Sequence, residues 1–198
     1  KGSVFDLKKT FLPLALILAL AMTLITGCTE KDPLAKRSCS PVLKIESAEG
    51  KAGETVGVTV SLSGADGKWS ASGIHFAYDE RLTAAKDELN QLMYEKGNAV
   101  DSMTDFIAVD WVDNRTDELI NNKQNSIFFC SIGEDGSGND GNIATFNFII
   151  PQDAEVGTVY DLNFFYMDND MFTNAAKEEE MQKYAVQNWI NGSITVTE

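Results

Sequence analysis

Thr55-Val56-Gly57-Val58-Thr59-Val60-Ser61-Leu62 is the stretch that decides the fold: every second residue is aliphatic, and the residues between are small or polar. Successive side chains of a strand point to opposite faces, so this run reads as a strand with one face buried and the other solvated. The same alternation recurs down the chain. Ile74, Phe76 and Tyr78 share one face, and Phe128, Cys130 and Ile132 share another. Ala144, Phe146, Phe148 and Ile150 follow, then Tyr160, Leu162, Phe164 and Tyr166, and Ile194 and Val196 close the series. Further strands are expected at 43–47, 82–85 and 106–111. About nine alternating strands separated by Gly, Asp and Asn turns predict an all-β sandwich.

Two stretches depart from period two. In 86–96, Leu89, Leu92 and Met93 fall at helical spacing and predict a short surface helix. In 174–188, Asn174 can cap a helix, 177–180 are strong helix formers, and Met181, Ala185 and Trp189 fall on one side. That second helix reads as an insertion before the last strand, covering a sheet edge or an end of the sandwich.

The 198 residues suit one domain with short extras, and 16 Lys+Arg stand against 30 Asp+Glu, a formal net charge of −14. Neutralising phosphates requires clustered Lys and Arg, so a nucleic-acid partner is excluded. One histidine and three cysteines supply few metal ligands and few nucleophile–base pairs. Catalysis is not expected.

Residues 1–27 read as an export signal. Lys8 and Lys9 precede 11–25, fifteen residues of which only Pro13 and Thr23 are not apolar. That is short of the roughly 20 apolar residues a spanning helix needs. Ile25-Thr26-Gly27-Cys28 resembles a bacterial lipoprotein signal, in which cleavage leaves the cysteine first in the mature chain and lipid-modified. Cys28 is then a lipidation site and membrane anchor, since two or more acyl chains hold where one does not. Residues 28–40, polar and containing Pro33, read as the lipidated tether, and 41–198 as the folded domain. This places the domain outside the cell, held at the membrane. Cys39 lies in the tether and Cys130 in a strand pattern, and no structural disulfide is expected between them.

The segment 133–142 is the one that most suggests a metal loop, but calcium-loop spacing would place Asp140 where Gly is required and Phe146 where the closing acid belongs. It reads instead as a flexible hairpin loop. Asp168, Asn169 and Asp170 offer three adjacent oxygen ligands without the rest of a shell. His75 follows Ile74 on its strand, so it faces away from the core and reads as an exposed histidine with no orienting acid.

Three motifs then occur in order: Gly73-Ile74-His75-Phe76-Ala77-Tyr78-Asp79-Glu80-Arg81-Leu82, Gly141-Asn142-Ile143-Ala144-Thr145-Phe146-Asn147-Phe148, and Asn191-Gly192-Ser193-Ile194-Thr195-Val196. Together they resemble the cohesin modules of cellulosomes over roughly 41–198. The resemblance implies a nine-stranded jelly-roll sandwich without catalysis, whose flat sheet face binds a dockerin module on an enzyme or scaffold protein, with the calcium ions belonging to the dockerin and no cofactor on this chain. Carried onto this sequence, it implies contacts from Gly73, His75 and Ala77 on the first strand, Ala108 and Asp110 on a middle strand, and Phe129, Ser131 and Glu134 on the strand leading to the acidic Gly-rich loop. The segments 86–105 and 174–188 depart from the minimal pattern and mark a divergent subtype.

Patterning bears on the same face. If Phe128 and Cys130 point inward, Phe129 points outward, and an exposed Phe among Gly73, Ala77, Ala108 and Ser131 suits a flat partner interface. A loop or the 174–188 helix would cover it otherwise. The function expected is that of a monomeric, lipid-anchored surface module that tethers dockerin-bearing, polysaccharide-degrading proteins. Two other readings are a carbohydrate-binding module, which needs a coplanar row of exposed aromatics from Phe129, Trp69 and Trp111, and a glycoside hydrolase fragment, which needs two carboxylates roughly 5 to 9.5 Å apart across a cleft.

Overall fold

The computed structural model describes residues 41–112, 115–167, 170–173 and 188–198. The export-signal, lipidation and tether expectations fall on 1–40, and the second helix almost wholly on 174–187, outside the described residues.

Thirteen strands are formed among the described residues, gathered into two sheets. The first sheet holds β1 (Val42–Ile45), β3 (Thr55–Ser63), β5 (Thr83–Ala84), β6 (Tyr94–Lys96), β9 (Gly141–Ile149) and β12 (Trp189–Ile190), in the order β12-β1-β3-β9-β5 with β6 also paired to β9. The second holds β2 (Ala48–Gly50), β4 (Ala71–Asp79), β7 (Asp105–Asp110), β8 (Gln124–Ile132), β10 (Val159–Phe165), β11 (Met171–Thr173) and β13 (Gly192–Val196), in the order β2-β13-β10-β4-β8-β7 with β11 also paired to β4. This is the β-sandwich the patterning implied, with the jelly-roll form the resemblance implied. Each of the nine expected runs carries a strand, and β2, β6, β11 and β12 are short additions.

The core lies between the sheets. In β3, Val56, Val58, Val60 and Leu62 are buried, as the alternation requires. Across from them Phe76 packs against Phe146, with ring centroids 5.3 Å apart, and Tyr78 packs against Phe148 at 5.1 Å. Trp69 is fully buried and stacks on Phe172.

The expected helix at 86–96 is not formed. Lys86 bridges to Leu92, β6 follows, and the Asp87 carboxylate accepts hydrogen bonds from the backbone N–H groups of Leu89 and Gln91. These local bonds compete with helical ones, and Asn90, at φ 62°, turns the chain in the left-handed region. The α-helix among the described residues is instead α1 (Asp117–Asn121), capped by Thr116, whose side-chain oxygen accepts from the Leu119 N–H.

The segment 133–140 is not a hairpin loop either, because β8 and β9 belong to different sheets. It is pinned to the turn after β3: Asp140 accepts from the backbone N–H groups of Gly64 and Ala65, and Asp66 accepts from that of Asp140. Gly138 lies so close to Trp69 that a Cβ would meet the indole ring at 2.2 Å, so only glycine fits.

Candidate functional site

The register of β4 against β8 settles which side chains face outward. Residues directly opposite in an antiparallel pair share a face. Ser72 stands opposite Ser131, Ile74 opposite Phe129 and Phe76 opposite Ile127, all toward the core; Gly73 stands opposite Cys130, His75 opposite Phe128 and Ala77 opposite Ser126, all on the outer face.

Four of the expected contact residues therefore face inward. Phe129 is 0% exposed and packs 6.0 Å from Phe146 between ring centroids. Ser131 is buried with its hydroxyl 2.8 Å from that of Ser72. Ala108 stands opposite Phe129 and is buried with it, and Asp110, opposite Ile127, also turns inward. There the Asp110 carboxylate accepts from the Tyr78 hydroxyl at 2.8 Å and pairs with Lys86 at 2.9 Å. Burial first, and the Asp110 charge second, push the Tyr78 phenol well above its ordinary value. The physical reason for the reversal is that both alternating sets in β8 are apolar, so period two cannot tell one face from the other; pairing with β4 decides it.

Gly73, His75 and Ala77 do lie on the outer face, yet other groups cover them. His75 is 6% exposed, not a surface histidine, and it has the orienting acid that spacing did not reveal: its Nδ1 lies 2.8 Å from Asp170 Oδ1. The Asp170 carboxylate also accepts from the Met167 N–H, so this residue of the suspected oxygen cluster is engaged within the protein, while 168–169 fall outside the described residues. The Phe128, Phe165 and Trp111 rings surround the imidazole, with centroids 4.6, 5.4 and 5.9 Å away. Ala77 is 1% exposed, and Gly73 lies beneath Phe128 and Met171. Glu134 is exposed beyond the end of β8.

What this face presents to solvent is an apolar strip the sequence reading missed. Ile107 and Ile132 are 55% and 56% exposed, and the half-buried Cys130 thiol stands opposite Ile107 across the β7–β8 pair. Asp105, opposite Ile132, and Asp161 on β10 add exposed acids to the same side. The readable signal was the polar-to-apolar swap between Asp105, Ile107 and Val109 on one parity of β7. Beside the strip, Trp111, Phe128, Tyr166 and Met167, together with His75 and Asp170, line a pocket of about 540 Å³ in which Asp170 supplies the carboxylate. Trp69 and Phe129 are buried and Trp111 is half-buried, so the row of exposed aromatics needed for sugar stacking is not formed.

No curated protein matches the chain. Among solved structures, it is similar to a type III cohesin module from the cellulosomal ScaE cell-surface anchoring scaffoldin of Ruminococcus flavefaciens, at 26% identity and TM-score 0.68, covering 84% of this chain and 92% of that one. It also resembles the third ScaC cohesin of Acetivibrio cellulolyticus, solved in complex with the ScaB dockerin, at 19% identity and TM-score 0.57, covering 80% of this chain and 99% of that one. A non-cellulosomal cohesin from Archaeoglobus fulgidus shares the fold at 16% identity and TM-score 0.55, covering 80% and 92% of the two chains. The family model described as the cohesin domain matches residues 41–196, and the chain belongs to the cohesin family.

Proposed function

We propose that the chain is a non-catalytic docking module that captures dockerin-bearing proteins on the outer face of β10-β4-β8-β7. The observation that carries this reading is the exposed apolar strip on a sheet face turned away from the core, in which Ile107 stands opposite Cys130 and diagonal to Ile132, since contiguous exposed apolar residues mark interaction surfaces. The solved complexes of related cohesins with dockerins supply the kind of partner. A standard interface buries about 800 Å² per side, which a helical module laid along these strands can reach. Asp105 beside the strip and Glu134 beyond its end, with the net charge of −14, favour Lys and Arg on the partner and hasten encounter.

In this reading Cys28 carries lipid, residues 28–40 are the tether, and the domain is held outside the cell as a monomer, gathering polysaccharide-degrading proteins at the membrane. Calcium belongs to the dockerin, and the chain needs no cofactor of its own. The test is capture of a panel of dockerins by this chain, with and without a calcium chelator. Calcium-dependent capture that is lost when Ile107 and Ile132 are both changed to Asp supports the docking face. Capture unaffected by that double change moves the site elsewhere, and polysaccharide retention without any dockerin capture replaces the reading with a carbohydrate-binding one.

A further inference from the structure

The pocket beside the docking strip has a chemistry of its own. Its volume of about 540 Å³ falls within the roughly 300–1,000 Å³ of small-ligand sites, and its walls are the Trp111, Phe128 and Tyr166 rings and the Met167 thioether. Asp170 is buried with its oxygens bound to His75 Nδ1 and the Met167 N–H, and no Lys or Arg pairs with it among the described residues.

His75 Nδ1 lies 2.8 Å from Asp170 Oδ1, and its Nε2 is buried without a hydrogen-bond partner among the described residues. Ring faces and a carboxyl group that no Lys or Arg meets among the described residues favour one kind of guest, a cation that also donates hydrogen bonds. Among side chains, arginine is planar, stacks on aromatic rings and carries five donors.

We propose that this pocket takes an arginine side chain of the docked partner, its guanidinium among the Trp111, Phe128 and Tyr166 rings and its charge facing the His75–Asp170 pair. The identity of the partner rests on the docking reading above; the pocket's preference rests on its own geometry. Phe128 belongs both to the pocket and to the outer face of β8, so an arginine seated here lies at the edge of the docking strip.

The experiment titrates the chain with N-acetyl-arginine amide and, separately, with N-acetyl-citrulline amide, which has nearly the same shape without the charge. The indole N–H signal of Trp111, assigned from a Trp111→Phe variant, reports occupancy. Arginine amide is expected to bind about tenfold or more tightly than citrulline amide, and Asp170→Asn to bring the two together. Should that variant misfold, salt raised to about 0.5 M gives a second reading, weakening arginine and leaving citrulline unchanged. Equal binding of the two amides, or no shift of Trp111 with either, overturns the proposal. Arginine binding by a chain that captures no dockerin would sink the docking reading and leave the pocket standing; dockerin capture with no arginine preference would do the reverse.

Discussion

The Phe128 ring lies 4.6 Å from the His75 imidazole, centroid to centroid, on the outer face of the seven-stranded sheet, while Phe129, the next residue, is wholly buried between the sheets. The two neighbours should therefore fail differently. Phe129→Ala opens a core cavity and is expected to cost about 3–5 kcal/mol of stability. Phe128→Ala should cost far less and instead weaken dockerin capture, by about 2 kcal/mol if the ring is a hot spot. Urea unfolding and a binding titration on both variants check this, and a Phe128→Ala variant that loses as much stability as Phe129→Ala would refute the division.

That pair also marks where the sequence stops being legible. Strands such as β3 and β10 alternate cleanly, and their buried sets are those that period two names. In β8 the inner set is Ile127, Phe129 and Ser131 and the outer set is Phe128, Cys130 and Ile132, apolar on both parities. The more hydrophobic set lies outside because the inner serine has found Ser72 and the outer aromatic has found His75. Both are contacts between residues far apart in sequence, and no local pattern encodes them. Asp170 reaches His75 across 95 positions for the same reason. The strand series and the sandwich were readable from local alternation; which side chains of β8 look outward was not.

Ile107→Asp and Ile132→Asp should be tolerated by the fold and harmful to docking. Each side chain is more than half exposed, so its replacement should change stability by no more than about 0.5 kcal/mol. Each carboxylate would meet an apolar partner surface and join Asp105 on an already acidic face, so capture should fall about tenfold or more. A midpoint of unfolding shifted as far as that of Phe129→Ala would show that these residues are structural.

Alkaline pH should weaken the fold through Tyr78. Burial, reinforced by Asp110, raises its phenol in the folded state. A raised folded value means the contribution is intact below the unfolded pKa, about 10, and is lost as pH climbs beyond it. Stability followed by urea unfolding from about pH 8 to about pH 11 should stay level and then decline, and Tyr78→Phe should decline less steeply. Some slope should remain in that variant, because burial raises the Tyr160 phenol as well. Identical slopes in the two proteins would remove Tyr78 from the account.

Cys130 gives a probe of the proposed docking face. Burial pushes its thiol up, so the reactive thiolate is scarce at neutral pH. Alkylation by iodoacetamide, followed by peptide mapping to separate it from Cys28 and Cys39, should be slower than that of a small free thiol. Bound dockerin should slow it further, since Cys130 stands between Gly73 and Ile107 on the proposed contact side. Unchanged labelling in a saturated complex would place the dockerin on another surface.

Ser72 and Ser131 test whether the inward register of β8 is held by its polar pair. Both are buried and their hydroxyls lie 2.8 Å apart. Ser131→Ala strands the Ser72 hydroxyl in the core and should cost about 1–3 kcal/mol, because the loss is the desolvation of the abandoned group and not of the bond itself. Changing both to Ala removes donor and acceptor together, so the double variant should be more stable than the Ser131→Ala single by roughly 1 kcal/mol. Losses that simply add would mean each hydroxyl is satisfied independently, and the pair would then have no part in turning Phe129 toward the core.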